Sequence, residues 1–511
     1  MKVMLVNFSS SYHRAVAESL AKKGVTITSV FYLKGYRDPL SVKRKDIPQT
    51  RFEDNPLFSD TRLVDIRDFQ YADRVTGHIS DGAVELSAGL LEEFRECENA
   101  FMRAADRFSF YALTPMVLRR IYYGMLAGLL RIFYEDHPDL VFFSDFPHVA
   151  YDTILFYIAK YLNVRTATLR NCHINDTSIL FFDHRVSEKV PADFLKELSS
   201  EDLRKRVSEE FPGLDLGKSK HLQFIHDRHH VINKFKDKSG TVLGFLKRVA
   251  KTITFRKDPR PMYSRVLLYN SKGSMKDYGT AVRAYNKKTK ALKRFLRNRA
   301  AALVDLDAPF VFFALHMQPE VSTSALAGVF EDQYLAVKIL SMATPPDWKI
   351  VVKEHPAQLV YNLAERMNYR DAEYYELMAK IPKVIMLPAE ASYGDLRTHS
   401  KVNVTITGSN GWESLIMGKA PVVFGNPWYN ACRSCLTVGS VEECRRAIAR
   451  SLELTKEEVR DDVYRYLLYM KDRMFRFSSN PTRMHLFDMP TLEQIESYSQ
   501  LIAGLLEETP K

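Results

Sequence analysis

Cysteine is scarce: five residues in a chain of 511. The number is odd and too small to staple a protein of this length, which excludes a disulfide framework and suits a reducing compartment. Cys432 and Cys435 form one CxxC with Cys444 nearby, yet no second pair or histidine at ligand spacing follows. Packing thiols are therefore the expectation, with no metal and no cofactor. Long apolar runs are missing too. Stretches such as Tyr122–Leu130 and Val311–Leu315 are interrupted well short of the roughly 18 residues that a spanning helix needs. At the start, Met1 runs directly into the strand-like Val3-Met4-Leu5-Val6 with no basic lead, apolar core or cleavage site, so a cytoplasmic protein is expected. There is no fixed-period repeat and no low-complexity tract.

What is present is the balance of a globular protein, 46% hydrophobic and 26% charged. A chain this long exceeds one ordinary core and splits into domains. The net charge of +11 is unevenly placed: residues 217–300 hold 23 Lys or Arg against 4 Asp or Glu, so this segment carries +19 and the remainder −8. An anionic partner follows, either an anionic membrane surface or an acidic glycan acceptor, with a plain solvated face as the alternative. Nucleic acid is disfavoured, because base stacking calls for aromatics interleaved with the basic residues and only Tyr263, Tyr269, Tyr278 and Tyr285 stand out here. Within the segment, Thr241–Phe255 sets Leu243, Leu246, Val249, Ala250 and Ile253 near one helical face and Lys247, Arg248 and Lys251 on the other. Such a helix either packs on its own domain or lies on a membrane, which would make the protein peripheral on the inner face of the cytoplasmic membrane.

Strand and helix periods alternate twice. Val3–Val6, a helical period through Ala15, Val16 and Leu20, and Val25–Tyr32 give a β-α-β opening. Asp139–Ser144 reads as a buried parallel strand, followed by a helix over Thr153–Leu162 and a strand over Val164–Leu169. Residues 84–134 read as long helices, and about 186–300 as a basic, mostly helical insertion. The rhythm restarts near 305, with strands at Pro309–Leu315, Trp348–Lys353, Val384–Leu387, Val402–Ile406 and Pro421–Phe424 and helices at Gln333–Ala343 and Trp412–Met417. The expected fold class is α/β: two doubly wound, Rossmann-like domains facing a cleft. The expected boundaries are 1–300 for an acceptor-side domain carrying the insertion, 301–485 for a nucleotide-binding domain, and 486–511 for a C-terminal helix crossing back.

In doubly wound sheets, ligands sit outside the carboxyl ends of strands. Four runs fall at that edge of the second domain: His316-Met-Gln318-Pro319-Glu320, Lys353-Glu354-His355-Pro356, Thr407-Gly408-Ser409-Asn410-Gly411-Trp412-Glu413 and Gly425-Asn-Pro-Trp-Tyr429. Thr407 to Gly411 is a small turn opening a helix, so its backbone N–H groups and the helix dipole favour a phosphate, with Ser409 and Asn410 as added donors. Glu413, in the first turn of that helix, suits the hydroxyls of a ribose. His355 and Lys353 suit charge-assisted hydrogen bonds to a phosphoryl oxygen. Each turn taken singly also reads as plain loop chemistry. Asp305-Leu-Asp307 precedes its strand and reads as a turn, not a metal pair.

The runs Phe313-Ala-Leu-His-Met-Gln-Pro-Glu320, Phe330-Glu-Asp-Gln333, Val351-Val-Lys-Glu-His-Pro356 and Thr407-Gly-Ser-Asn-Gly-Trp-Glu413, with Gly418 and Pro421, resemble the bacterial capsule and surface polysaccharide biosynthesis proteins. The resemblance covers about 309–430 and, more faintly, 137–170. It implies a glycosyltransferase of GT-B architecture related to the β-Kdo transferases. It also implies a CMP-activated donor, with His355 touching the phosphate of CMP and Gly408, Ser409 and Asn410 cradling it. The chain departs from those transferases at the end of one N-domain strand, where Leu169-Arg170-Asn171 stands in place of a Glu-Asp-Gly run.

The catalytic groups are then expected on the first domain. Asp145 and His148 follow the strand over Leu140–Phe143, and Arg170 and Asp176 follow Val164–Leu169 as acceptor or sugar contacts. Asp145 suits a nucleophile or general base, and alternatively a helix N-cap; His148 alternatively packs. The expected function is transfer of a sugar, Kdo or a related acidic sugar, from a nucleotide-activated donor to a surface polysaccharide or glycolipid. The alternatives are a CDP-alcohol phosphotransferase of the teichoic-acid polymerase kind, a UDP-sugar 2-epimerase, and a membrane-associated adaptor on an inactive transferase fold.

Overall fold

The computed structural model describes residues 1–34, 51–69, 84–107, 114–172, 174, 177–214, 216, 287–296, 304–318, 321–355, 358, 370–387, 391–479 and 489–507. The described residues fall into two compact units: Met1–His184 with those from Arg473 onward, and those between Arg185 and Asp472. Thirteen strands are formed among them: β1 (Lys2–Val6), β2 (Thr26–Tyr32), β3 (Arg62–Asp65), β4 (Leu140–Phe143), β5 (Arg165–Asn171), β6 (Ser178–Phe181), β7 (Phe310–Ala314), β8 (Lys349–Lys353), β9 (Val384–Leu387), β10 (Val402–Thr405), β11 (Val422–Val423), β12 (Leu436–Thr437) and β13 (Met474–Phe475).

The first unit holds one sheet in the order β13-β6-β5-β4-β1-β2-β3. The five strands from β5 to β3 run parallel, and β6 and β13 close one edge antiparallel. Side chains alternate across the pleat, so β1 feeds two cores. Val3 and Leu5 pack with Val16 and Leu20 of the helix Ser11–Lys22 and with Tyr498 and Ile502 of the helix Thr491–Glu507. Met4 and Val6 pack with Met125 and Leu129 of the helix Pro115–Asp136 and with Ile154 and Ile158 of the helix Ala150–Tyr161. Burial on both faces is why these strands read as continuous apolar runs.

The second unit holds a six-stranded, all-parallel sheet in the order β12-β11-β10-β7-β8-β9. Val311 and Phe313 of β7 meet Val337 and Leu340 of the helix Gln333–Ala343, while Phe310 and Phe312 face Val351 and Leu396.

Three expectations change. The strand expected to stop at Leu169 continues to Asn171, where Arg170 and Asn171 pair with Ile179 and Ser178 of β6. Arg170 therefore lies within the strand and not beyond it. The helix expected to begin at Trp412 begins at Ser409, directly on the glycine turn. The third change concerns the boundary near 300 and the insertion over 186–300, whose described parts belong to the second unit. Ser200 of the helix Ser200–Glu210 donates to Asp461 at 2.8 Å, and Leu292 and Leu296 are buried in the second unit's core. The Lys189 ammonium sits among the carbonyls of Asn430 (2.6 Å), Cys435 (2.5 Å) and Cys432 (3.3 Å). The amphipathic stretch Thr241–Phe255 lies outside the described residues. At the other end the chain re-enters the first unit at Arg473, ahead of the expected 486, because β13 pairs with β6.

Candidate active site

The strand order of the second unit, β9-β8-β7-β10-β11-β12, is the doubly wound order whose direction reverses between β7 and β10. Ligands of such sheets bind outside the carboxyl ends of those two strands. There the ring of His316, just past β7, reaches across to β10. Its Nε2 accepts from the backbone N–H of Ile406 (3.2 Å) and Thr407 (3.4 Å) and lies 3.1 Å from the Thr405 hydroxyl. An acceptor at Nε2 leaves the neutral ring's proton on Nδ1.

Glycine is required here by contact. A Cβ on Gly408 would lie 2.5 Å from His316 Cε1, and one on Gly411 would lie 2.2 Å from the Tyr429 hydroxyl. That hydroxyl donates to the Gly408 carbonyl at 2.5 Å. Gly408 is also the N-cap of the helix Ser409–Ile416, so no side chain caps its first turn. A helix opened this way presents backbone N–H groups and the positive end of its dipole to an anion. Beside it, the hydroxyl of Thr407, itself 3% exposed, is buried without a hydrogen-bond partner among the described residues. Ser409 is half-buried at the first position of the helix.

Other expected ligand groups are engaged within the protein. Asn410 donates to the Val404 carbonyl (3.3 Å) and accepts from the Tyr393 phenol (3.0 Å), which burial pushes up to about 12. Glu413 is ion-paired with Arg397, whose guanidinium also lies 5.1 Å from the centre of the Tyr393 ring. Gln318 is buried, its backbone N–H and C=O both bonded to the Gln358 amide (2.6 and 2.8 Å). Lys353 is buried, with Nζ 3.5 Å from the Glu354 carbonyl. His355 is half-buried, and its N–H donates to its neighbour Glu354 at 2.6 Å. Glu320 and Pro356 lie outside the described residues. Beneath these loops Glu354 is fully buried, accepting from Tyr375 (2.5 Å) and from Arg370 (3.3 Å). Burial, then the nearby Glu354 carboxylate, holds the Tyr375 phenol well above its usual range.

In the first unit the order reverses between β1 and β4. Asp145, past β4, is half-buried and accepts from the Phe146 N–H at 2.9 Å. The N-cap alternative for Asp145 does not hold: the following helix is capped from inside by Asp152, which accepts from the N–H of His148 (2.9 Å) and Val149 (2.7 Å). His148 is buried, its Nδ1 2.7 Å from the Phe146 carbonyl. Arg170 lies 5.0 Å from the centre of the same Phe146 ring, and so falls in one cluster with His148. Asp176 lies outside the described residues. Asp145 also acts on Tyr498, whose phenol is held well above its usual range by burial, by Tyr12 and by that carboxylate.

His316, Arg370, Arg397 and Tyr429 were not assigned roles from the sequence. His316 and Tyr429 stand inside quoted motif runs, so position alone could have flagged them. Nothing nearby in the chain marks Arg370 as the partner of Glu354. Asp307 donates its N–H to the Asp305 side chain at 3.0 Å, as a turn does. The five cysteines are buried thiols; burial pushes Cys435 up to about 11 and Cys444 up to about 12. Among the described residues no cluster of His, Cys, Asp or Glu is arranged to hold a metal ion, and no helix is long and apolar enough to cross a membrane.

Residues 257–439 match the family model described as capsule polysaccharide biosynthesis protein. That span contains all four edge runs of the second unit, and it bears out the resemblance read from them. Among solved structures, the chain is similar to a β-Kdo 2,7 transferase, KpsC of Thermosulfurimonas dismutans, at 16% identity over 43% of this chain and 62% of that one, with a TM-score of 0.24. It is similar also to a UDP-GlcNAc 2-epimerase of Methanocaldococcus jannaschii, at 10% identity over 92% of this chain and 100% of that one, TM-score 0.25. The spinosyn rhamnosyltransferase SpnG matches at 10% identity over 99% of this chain and 100% of that one, TM-score 0.26. At TM-scores this low the likenesses carry no argument, and the chain spans less than two thirds of the KpsC chain. No curated protein sequence matches the chain.

Proposed function

From the match of residues 257–439 to the capsule polysaccharide biosynthesis family, we propose that this chain is a nucleotide-sugar glycosyltransferase of GT-B type acting in surface polysaccharide synthesis. The observation that carries the reading is the glycine-opened helix Ser409–Ile416 at the reversal point of a sheet inside the matched span, with the unpartnered Thr407 hydroxyl beside it. In this reading the donor's phosphate rests on the first-turn N–H groups of that helix, with Thr407, Ser409 and His355 as further donors. Glu413, held by Arg397, takes the ribose. The donor is a CMP-activated sugar, Kdo or a related acidic sugar, and CMP leaves as an acceptor hydroxyl attacks the anomeric carbon. Asp145 supplies the carboxylate, as base on the acceptor hydroxyl or as nucleophile, with His148 and Arg170 beside it. The +19 charge of residues 217–300 draws in an acidic, lipid-linked acceptor or its membrane.

Calorimetry with CMP, CDP, UDP and GDP on the wild type and His355→Ala tests the reading. The expected result is CMP binding to the wild type, weakened about tenfold or more by His355→Ala, the order of one lost charge-assisted hydrogen bond. If no nucleotide binds, or if the variant binds as the wild type does, the assignment fails.

A further inference from the structure

Two chain segments leave the carboxyl edge of the second unit side by side, 315–318 after β7 and 354–355 after β8, and one buried cation joins them. Among the described residues the Arg370 guanidinium, 2% exposed, meets three different acceptors. Nε lies 3.3 Å from Glu354 Oε2, Nη1 donates to Gln318 Oε1 at 2.6 Å and Nη2 to the His316 carbonyl at 3.2 Å. Its plane also rests on the Tyr374 ring, 4.3 Å from the centre. Glu354 passes the constraint on, since its other oxygen accepts the His355 N–H at 2.6 Å and Tyr375 holds the first at 2.5 Å. Gln358 makes a second tie: its N–H donates to the His355 carbonyl at 3.0 Å while its amide pairs with the backbone of Gln318.

A buried ion pair adds little net stability, because desolvating both groups offsets their attraction, but it fixes geometry when every remaining lone pair and proton is bonded. A planar fork suits that task, because its donors are set at fixed angles that an ammonium group cannot reproduce. We propose that Arg370 is a positioning residue: through Glu354 it sets where His355 stands relative to His316, and hence where His355 meets the donor phosphate. The last step rests on the function proposed above; the coupling of the two histidine loops does not.

Arg370→Lys keeps the charge opposite Glu354 and removes the fork. The side-chain NMR signals of His316 and His355, read on the full chain without ligand, should both shift, and CMP affinity should fall about tenfold, while circular dichroism shows a folded protein. A folded variant whose His355 signal stays at the wild-type position overturns the proposal, and Arg370 is then only an interior ion pair. Should Arg370→Lys fail to fold, Tyr375→Phe removes one bond to Glu354 without changing shape. It should move the His355 signal and weaken CMP by a smaller factor, and an unmoved signal there overturns the proposal as well. Absence of CMP binding in the wild type would defeat the functional reading, while the ligand-free histidine signals still decide the positioning role.

Discussion

The two sheets share a strand order around their reversal points, yet the helices that open there end differently. In the first unit the helix Ser11–Lys22 is sealed by its own chain: Ser10 caps it by accepting the His13 N–H at 3.1 Å, and residues 10–13 are buried. The His13 ring lies 4.9 Å from Phe8, with Nε2 3.3 Å from the Ser479 carbonyl. In the second unit the helix that follows β10, on the other side of the reversal, opens on Gly408, which has no side chain to cap it. Helix ends at the carboxyl edges of two such sheets can thus differ, one capped by a side chain of its own chain and the other opening on backbone N–H groups alone.

The largest expected effect tests the sealed end. Burial lowers the His13 pKa to about 4, below its ordinary 6.5, so the folded protein holds this ring neutral. The unfolded chain then binds the extra proton between those values. Stability from this group is complete above about pH 6.5, falls as the pH drops toward 4 and is level below that, on the order of 3 kcal/mol across the window. Urea unfolding at pH 7 and pH 5 should show the loss in the wild type and a smaller one in His13→Gln; parallel losses would show that the proton binds elsewhere.

Next in size is a test of the open end. Gly411→Ala forces a methyl against the Tyr429 hydroxyl and should destabilise by about 1–3 kcal/mol. Tyr429→Phe removes the clashing oxygen, so the double variant should lose less than the two single variants together. Simple additivity in denaturant titrations would mean that the backbone, not Tyr429, is what needs the glycine.

The smallest effect separates the two ends directly. Ser10→Ala removes one cap and should cost about 1 kcal/mol in unfolding free energy. It should leave CMP affinity at the second unit unchanged. A matching loss of CMP binding would mean that the sealed helix, too, serves the ligand.

Much of this was legible in the chain. Apolar runs such as Val3–Val6 and Phe310–Phe313 marked strands buried on both faces, and the run from Thr407 to Gly411 marked a turn opening a helix, because a backbone's needs are written in its own local residues. The antiparallel pair β6 and β13 was not legible, since Ser178–Phe181 and Met474–Phe475 are too short to show a period and find each other across nearly 300 residues. The basic insertion was assigned to the first domain on chain order alone, and its described parts followed the contacts of Leu203, Val207 and Lys189 instead.

The sequence by itself determined which residues stand at the carboxyl edge of the second sheet, because strand ends and turn glycines are local features. Only the tertiary structure decided which of them remain for a ligand. Asn410 pairs with Tyr393 and Gln318 with Gln358 and Arg370, while Thr407 keeps a buried hydroxyl without a partner among the described residues. A buried donor or acceptor must be satisfied by whatever lies within about 3 Å of it, and that neighbour is set by packing between segments far apart in the chain.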